Sequence, residues 1–448
     1  MTRTVHLGQE VAAFDHVEKS DAFVLGIKRK VEYKLPEDIA WGPETASLLP
    51  QIDQDSIQLL DQKTWATIDD HDLDIGESIL CLKTLTLETS EITSTPRSLI
   101  VVGTALLRGD DSHLQGRIYV FDIIPVVPNP DSPSTTNRAL KLISREEVKG
   151  AVTSLSPIGT QGFVLVAQGQ KIMVRGLKED GSLMPVAFMD MQVHTTALKS
   201  LSDTGLWAAG DAIKGVWFCG YNEDPYQLRL FGKSKHVEVM ALEFLPDGKQ
   251  LYIIIADADC NLHVLQYDPE RTYLLFTLLT HAYCAPILIP SSIIDPKSLS
   301  GHLLLHHTSF HAGSFPTNLL LLPPNPSNPS QPPSVLLTSS SGSISVLTPL
   351  SPTAHRTLSA LQSHLQSTLP HHLGLNPKAY RNVTESVGAE SGMGMGFSGG
   401  GRQIIDGNVV RRWNEAGRWK RWEGGMHGGG EEGLRELLRE VQGANLPF

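Results

Sequence analysis

SLIVVGTAL (98–106), a turn-rich stretch and GRIYVFDI (116–123) read as two apolar strands joined as a hairpin. The same arrangement recurs down the chain. GFVLVAQ precedes GQKIMVRG (169–176), and LWAAGD precedes GVWFCGY (215–221). LYIIIADAD precedes CNLHVLQYD (260–268), and SVLLTSSS precedes GSISVLTP (342–349). DSIQLLD (55–61) closes a sixth unit, with its partner run AFVLGIKR lying earlier across a longer loop. A unit of this size cannot bury its own apolar face. Neighbours must stack, as propeller blades or solenoid rungs do, and closing strands roughly 45 to 60 residues apart fall near the spacing of known blade repeats.

The longer gaps hold visible insertions. Residues 31–55 carry Pro36, Trp41, Gly42, Pro43 and Pro50 and read as an irregular loop. PVVPNPDSPSTTN (125–137) and LLPPNPSNPSQPPS (321–334) are proline-rich and cannot continue a ladder. Residues 1–30 read as two or three short strands, so the chain is expected to begin inside a β architecture, as a fragment would.

After Leu350 the period changes. Leu358, Leu361, Leu365 and Leu369 recur at spacings of three and four, which places them on one helix face that Pro370 ends. A turn-rich connector, LPHHLGLNPKAYR (369–381), follows. Residues 384–401 form a glycine-rich linker, and helices are expected at 406–422 and 431–442. The division is therefore 1–350 for the β part and 351–448 for a helical appendage.

A hydrophobic share of 41% with 19% charged residues predicts a packed core. A net charge of −11 argues against a surface built throughout to hold nucleic acid. Cys81, Cys219, Cys260 and Cys284 form no CxxC pair and read as thiols of a reducing compartment. No apolar run reaches the roughly 18 residues of a membrane span, so no membrane partner is expected.

Chemical motifs are sparse. Gly394, Gly396 and Gly399 satisfy GxGxxG, but within low complexity and without a preceding strand. Phe231-Gly232-Lys233-Ser234 resembles the end of a phosphate loop, yet Gln227 stands where the first glycine belongs. His302, His306, His307 and His311 are the best metal candidates. In a strand His307 and His311 would be roughly 13 Å apart, too far to share an ion. Asp257 and Asp259 read as caps of a hairpin turn. No catalytic residue, metal or cofactor is assigned.

The tail differs. From Gly401 to Trp422 the local charge is +4, with Arg402, Arg411, Arg412, Arg418, Lys420 and Arg421 against Asp406 and Glu415, and Trp413, Trp419 and Trp422 interleaved. Arginine for phosphate and tryptophan for base stacking would make a single-stranded RNA surface. The plainer reading, which we favour, docks the tryptophans on the β part and leaves the arginines solvated.

Three stretches carry a family resemblance: VVGTALLRGDDSHLQGRIYVFDIIPVVP (101–128), GQKIMVRGL (169–177) and HVEVMALEFLPDGKQLYIIIADADCNLHVLQYDP (236–269). They resemble the C-terminal propeller of the CPSF-A family, the family of the large cleavage and polyadenylation specificity factor subunit. LPHHLGLNPKAYR points to the polyadenylation member in its fungal form, and IIDG (404–407) is similar to the motif opening the family's last helical segment. Beyond Gly407 the chain departs from the family pattern. The resemblance implies an all-β, seven-bladed propeller of antiparallel four-stranded blades, some incomplete, with a small C-terminal α-helical domain.

The implied function is a non-catalytic nuclear scaffold of pre-mRNA 3′-end processing. Its partners would be other subunits of the cleavage and polyadenylation complex, including those that read the polyadenylation signal, with pre-mRNA as an auxiliary one. Leu358, Leu361, Leu365, Leu369, Pro370, His371, His372, Leu375, Asn376, Pro377 and Tyr380 are the candidate docking residues. Arg411, Arg412, Trp413, Arg418, Trp419, Lys420 and Arg421 are the candidate RNA contacts. The alternatives are a DNA-damage or ubiquitin-ligase adaptor, a splicing-factor paralogue and, from another class, a propeller hydrolase.

Overall fold

The computed structural model describes residues 5–33, 50–89, 95–109, 112–127, 137–248, 250–267, 302–323, 332–370, 374–375, 380–381, 383 and 404–415. They are mostly strand, arranged as six antiparallel sheets of the β-propeller blade type. The first holds β1 (Glu10–Val17), β2 (Ala22–Glu32), β3 (Gln51–Asp61) and β4 (Thr67–Asp72). The second holds β5 (Glu77–Glu88), β6 (Pro96–Leu106), β7 (Gln115–Pro125) and β8 (Arg138–Lys149). The third holds β9 (Val152–Ile158), β10 (Phe163–Gln168), β11 (Lys171–Leu177) and β12 (Leu183–Asp190). The fourth holds β13 (Thr195–Ser200), β14 (Leu206–Asp211), β15 (Val216–Glu223) and β16 (Tyr226–Lys233). The fifth holds β17 (Val239–Asp247), β18 (Gln250–Asp257), β19 (Asn261–Tyr267) and β20 (Leu305–His311). The sixth has three strands, β21 (Pro316–Leu322), β22 (Ser334–Ser339) and β23 (Ile344–Leu347).

The six closing strands of the sequence repeat are β3, β7, β11, β15, β19 and β23, each third in its sheet. The countable hairpins are thus the central pair of each four-stranded sheet and the last pair of the three-stranded one. A seventh blade, inferred from resemblance and not from a hairpin, is not among the described residues. Of the expected helices, α1 (Pro352–Thr368) and the short α2 (Gly407–Arg411) are described, and α2 passes into a 3-10 turn at Arg412–Glu415. The expected helix at 431–442 and the linker at 384–401 lie outside the described residues.

The chain divides into two compact units, Met1–Ala209 with Phe218–Leu230, and Gly210–Trp217 with Phe231–Phe448. In the first, β6 and β7 are buried on both faces. Ile100, Val102, Tyr119 and Phe121 pack toward the first sheet, whereas Leu99, Val101, Ile118 and Val120 pack toward the third. Two-sided burial is why these strands read as continuous apolar runs instead of alternating patterns. In the second unit, Leu245, Ile254, Leu319, Val335 and Leu337 form the layer between the fifth and sixth sheets.

A glycine in the second strand of a sheet sets the approach of the next sheet. A Cβ on Gly26 would meet Ile79 Cγ2 at 3.0 Å, and one on Gly103 would meet Val152 Cγ1 at 2.4 Å. Gly210 stands in the same relation to Val239, at 2.3 Å. In each case a β-branched side chain of a first strand fills the space that the missing Cβ leaves.

Candidate docking site at the strand-to-helix junction

The site begins with the capping of α1. Ser351 has extended backbone and its hydroxyl accepts from the Ala354 N–H at 3.2 Å, while Pro352 occupies the first turn. The leucine face is then buried, with Leu358, Leu361 and Leu365 at 1–2% exposure and Leu369 at 9%. Leu369 caps the helix with its N–H on the Leu365 carbonyl. Against this face pack Val409 and Val410 of α2 and the indole of Trp413, with Leu350 and Ile405 beside them.

Asp406 is the N-cap of α2, its Oδ1 accepting from the Asn408 N–H at 2.9 Å. Its own N–H donates to Gln362 Oε1 of α1 at 2.8 Å, so one residue starts α2 and ties it to α1. Its Oδ2 accepts from Arg381 Nε at 2.9 Å. Arg381 Nη1 donates to the His311 and Ala312 carbonyls, both at 2.8 Å, and its guanidinium lies 4.9 Å from the Phe310 ring centroid. Arg381 therefore joins the end of β20 to the helix pair, using the planar fork that lysine lacks.

The expected docking residues separate on this geometry. Leu358, Leu361, Leu365 and Leu369 are spent inside the helix pair. Pro370 accepts from Arg412 Nη2 through its carbonyl at 3.0 Å. Leu375 and Tyr380 are exposed, at 58% and 42%, and the Arg381 guanidinium lies 5.2 Å from the Tyr380 ring centroid. His371, His372, Asn376 and Pro377 lie outside the described residues.

Of the expected RNA contacts, Arg411 is exposed and Arg412 half-buried. Trp413 is 4% exposed within the leucine cluster, so its ring is not presented for base stacking. This corrects its place among stacking residues: the apolar area of an indole favours the nearest leucine face over water. Arg418, Trp419, Lys420 and Arg421 lie outside the described residues. Sequence reading passed over Arg381, Gln362 and Asp406 as site residues. Asp406 ahead of a short helix carries a cap signature that could have been found, whereas nothing local marks Arg381.

A second cluster lies within the fifth sheet. Asp257 ends β18, and its carboxylate accepts from the Asn261 N–H at 2.7 Å and from Asn261 Nδ2 at 2.8 Å. His263 Nε2 lies 3.0 Å from Asp257 Oδ2, and its Nδ1 lies 2.7 Å from Ser309 Oγ. His306 Nε2 lies 2.6 Å from the same hydroxyl. Burial alone would raise the Asp257 carboxyl, but hydrogen bonds from His263 and Asn261 outweigh it and hold it below the ordinary range. Burial pushes the His306 imidazole down to about 4.

An Asp–His–Ser series invites a hydrolase reading. Here, however, Asp257, His263 and Ser309 are each at most 7% exposed, and the hydroxyl is held between two imidazoles. Such a series ties the turn after β18 to β19 and β20. Asp211 does comparable work at the end of β14, accepting from the N–H groups of Ile213, Lys214 and Gly215 and from Trp217 Nε1. His307 and His311 instead bond Gln266 Oε1 at 2.5 Å and Asn261 Oδ1 at 2.9 Å. The four histidines do not converge on a point, and among the described residues no group of three His, Cys, Asp or Glu could hold a metal ion.

Antiparallel blade-type sheets with a helix pair clamped to a sheet end define a protein of the β-propeller class. The family model described as the CPSF A subunit region matches residues 54–415, and the chain belongs to that family. It is 45% identical to Protein CFT1 of Coccidioides immitis, across 99% of this chain and 31% of that protein. It is 44% identical to Protein cft1 of Neurospora crassa, across 94% of this chain and 28% of that one. Against Protein cft1 of Schizosaccharomyces pombe it is 30% identical, across 91% and 27%. The chain spans about a third of the length of the curated relatives it matches.

Proposed function

We propose that this chain is a non-catalytic scaffold segment of the nuclear complex that cleaves and polyadenylates pre-mRNA. The observation that carries the reading is the family match, which covers residues 54–415 and so includes most of the sheets together with the helix junction. In this reading residues 1–350 form the propeller part, seven-bladed when complete, and 351–448 the helical appendage. The junction holds the appendage in a set position, with Leu375 and Tyr380 exposed beside it. Rigid sheets with exposed turns offer surfaces on which the subunits that read the polyadenylation signal dock. Arg411 and the basic residues after it supply an auxiliary contact with pre-mRNA.

The test is affinity purification of the tagged chain from nuclear extract, with mass spectrometry of the proteins recovered. Recovery of the polyadenylation-signal readers and the 3′-end endonuclease is expected. Recovery of a cullin ligase or of spliceosomal proteins in their place would overturn the reading.

A further inference from the structure

In the first compact unit, the turns of two neighbouring sheets enclose a cleft of ≈ 680 Å³, a ligand-sized volume. Val17, Ile100, Ile123 and Ile124 give it an apolar lining. Pro125 continues that lining, and beyond it Val126 and Val127 are 42% and 88% exposed. Arg138 builds one wall. Its guanidinium donates to the Ser20 carbonyl and, at 3.0 Å, to Asp61 Oδ1, so the start of β8 is pinned to the turns after β1 and β3. The Leu140 N–H, donating to Asp69 Oδ2 at 2.7 Å, fixes the same strand one step further on.

Lys19, Lys63 and Arg97 also line the cleft. All three are exposed, and among the described residues none has a carboxylate partner. Unpaired cations around an apolar lining are notable in a chain of net charge −11, where carboxylates outnumber cations overall. The lining also includes Asp21 and Asp122, which oppose a continuous phosphate backbone, and contains no aromatic ring on which a base could stack. A peptide can place its carboxylates singly, opposite the cations, and set aliphatic side chains between them.

We propose that this cleft docks an acidic segment of a protein partner, with carboxylates paired to Lys19, Lys63 and Arg97 and aliphatic side chains on the apolar lining. The inference stands apart from membership in any particular complex.

The test is fluorescence anisotropy with the full chain and a labelled peptide that alternates Asp or Glu with Leu and Val. Its Asn/Gln counterpart and a uridine oligonucleotide serve as comparison probes. The acidic peptide should bind about tenfold more tightly than its amide counterpart, and the advantage should shrink as salt rises. Lys63→Glu with Arg97→Glu should abolish the preference, and the milder Lys63→Gln with Arg97→Gln should reduce it. Lys171→Glu, at the exposed start of the inner strand β11 in the third sheet, should leave it intact. Both cleft pairs lie on exposed side chains, so unchanged thermal unfolding shows that the fold is kept. Equal binding of the acidic and amide peptides would overturn the proposal. So would insensitivity to both cleft variants, or reversal-sensitive binding of the oligonucleotide alone.

Discussion

Arg381 Nε and Asp406 Oδ2 lie 2.9 Å apart and join the connector after α1 to the cap of α2. The Asp406 side chain is 6% exposed and that of Arg381 is 19% exposed, so little water competes for either charge. The same guanidinium satisfies the carbonyls of His311, the last residue of β20, and of Ala312 just after it. One side chain thus ties the helix pair to the end of the fifth sheet.

Arg381→Ala leaves a buried carboxylate and two carbonyls without their donor. A loss of about 2–4 kcal/mol is expected, felt locally. Amide exchange of 352–368 should accelerate while exchange in β10 and β11 stays slow. Arg381→Lys should fail to rescue, because an ammonium cannot serve Asp406 and both carbonyls in the same plane. Normal exchange in either variant would refute the clamp.

Leu361→Asp with Leu365→Asp places two carboxylates in a layer where each leucine is 1% exposed. The helix pair should separate, exposing Trp413, and tryptophan emission should shift to the red. Leu361→Ala alone should cost about 2–5 kcal/mol by the cavity it leaves. An unshifted spectrum in the double variant would show that α1 and α2 are held by something else.

Gly103→Val drives a Cβ to within 2.4 Å of Val152 Cγ1 and 2.6 Å of Cys81 Sγ, between the second and third sheets. Overpacking of this kind costs about 1–3 kcal/mol. Val152→Ala in the same chain should restore part of the lost thermal stability. A Gly103→Val chain melting with the parent would mean that the sheets part easily here.

Arg117 holds Glu77, whose side chain is fully buried, at 2.8 Å. Arg117→Met should destabilise by about 3–5 kcal/mol, and adding Glu77→Leu should recover much of it. Hydrogen bonds from Arg117 also hold the Asp74 and Glu147 carboxyls below their ordinary 3.8 and 4.5. A folded pKa below the unfolded one contributes stability that is present above the unfolded value and is lost as pH falls through the folded value. Urea midpoints of the parent should therefore drop as pH falls below 4.5, and Arg117→Met should show a shallower drop. Equal acid slopes in the two proteins would contradict this.

His306 behaves with its own sign. Burial first, then repulsion from His263, holds its imidazole at about 4 against an ordinary 6.5. Between these values the unfolded chain binds the proton and the folded chain does not. Stability consequently rises with pH across that window and is lost as pH falls through it. In His306→Gln this slope should flatten in denaturant titrations across the window. An unchanged slope would assign the titration to other groups.

Short-range periodicity encoded much of this molecule. Two-sided burial wrote hairpins such as β6–β7 as apolar runs, and all six hairpins fell where the sequence repeat stands. Leucine spacing of three and four marked the buried face of α1, because one helix turn brings those positions together. The same spacing could not say what covers the face. Val409, Val410 and Trp413 arrive from about fifty residues onward, and Trp413 looked like a stacking residue only while its neighbours were unknown.

The composition, the six hairpins, the capping of α1 and the family resemblance were properties of the chain alone, since each depends on residues near one another in sequence. The tertiary structure decided which groups meet. It joined Arg381 to Asp406 and β20, closed Asp257, His263 and Ser309 into one buried series, matched Gly103 to Val152 and gathered Lys19, Lys63 and Arg97 around one cleft. Those groups come from separate sheets, strands and turns, and only packing of the apolar strands brings them together.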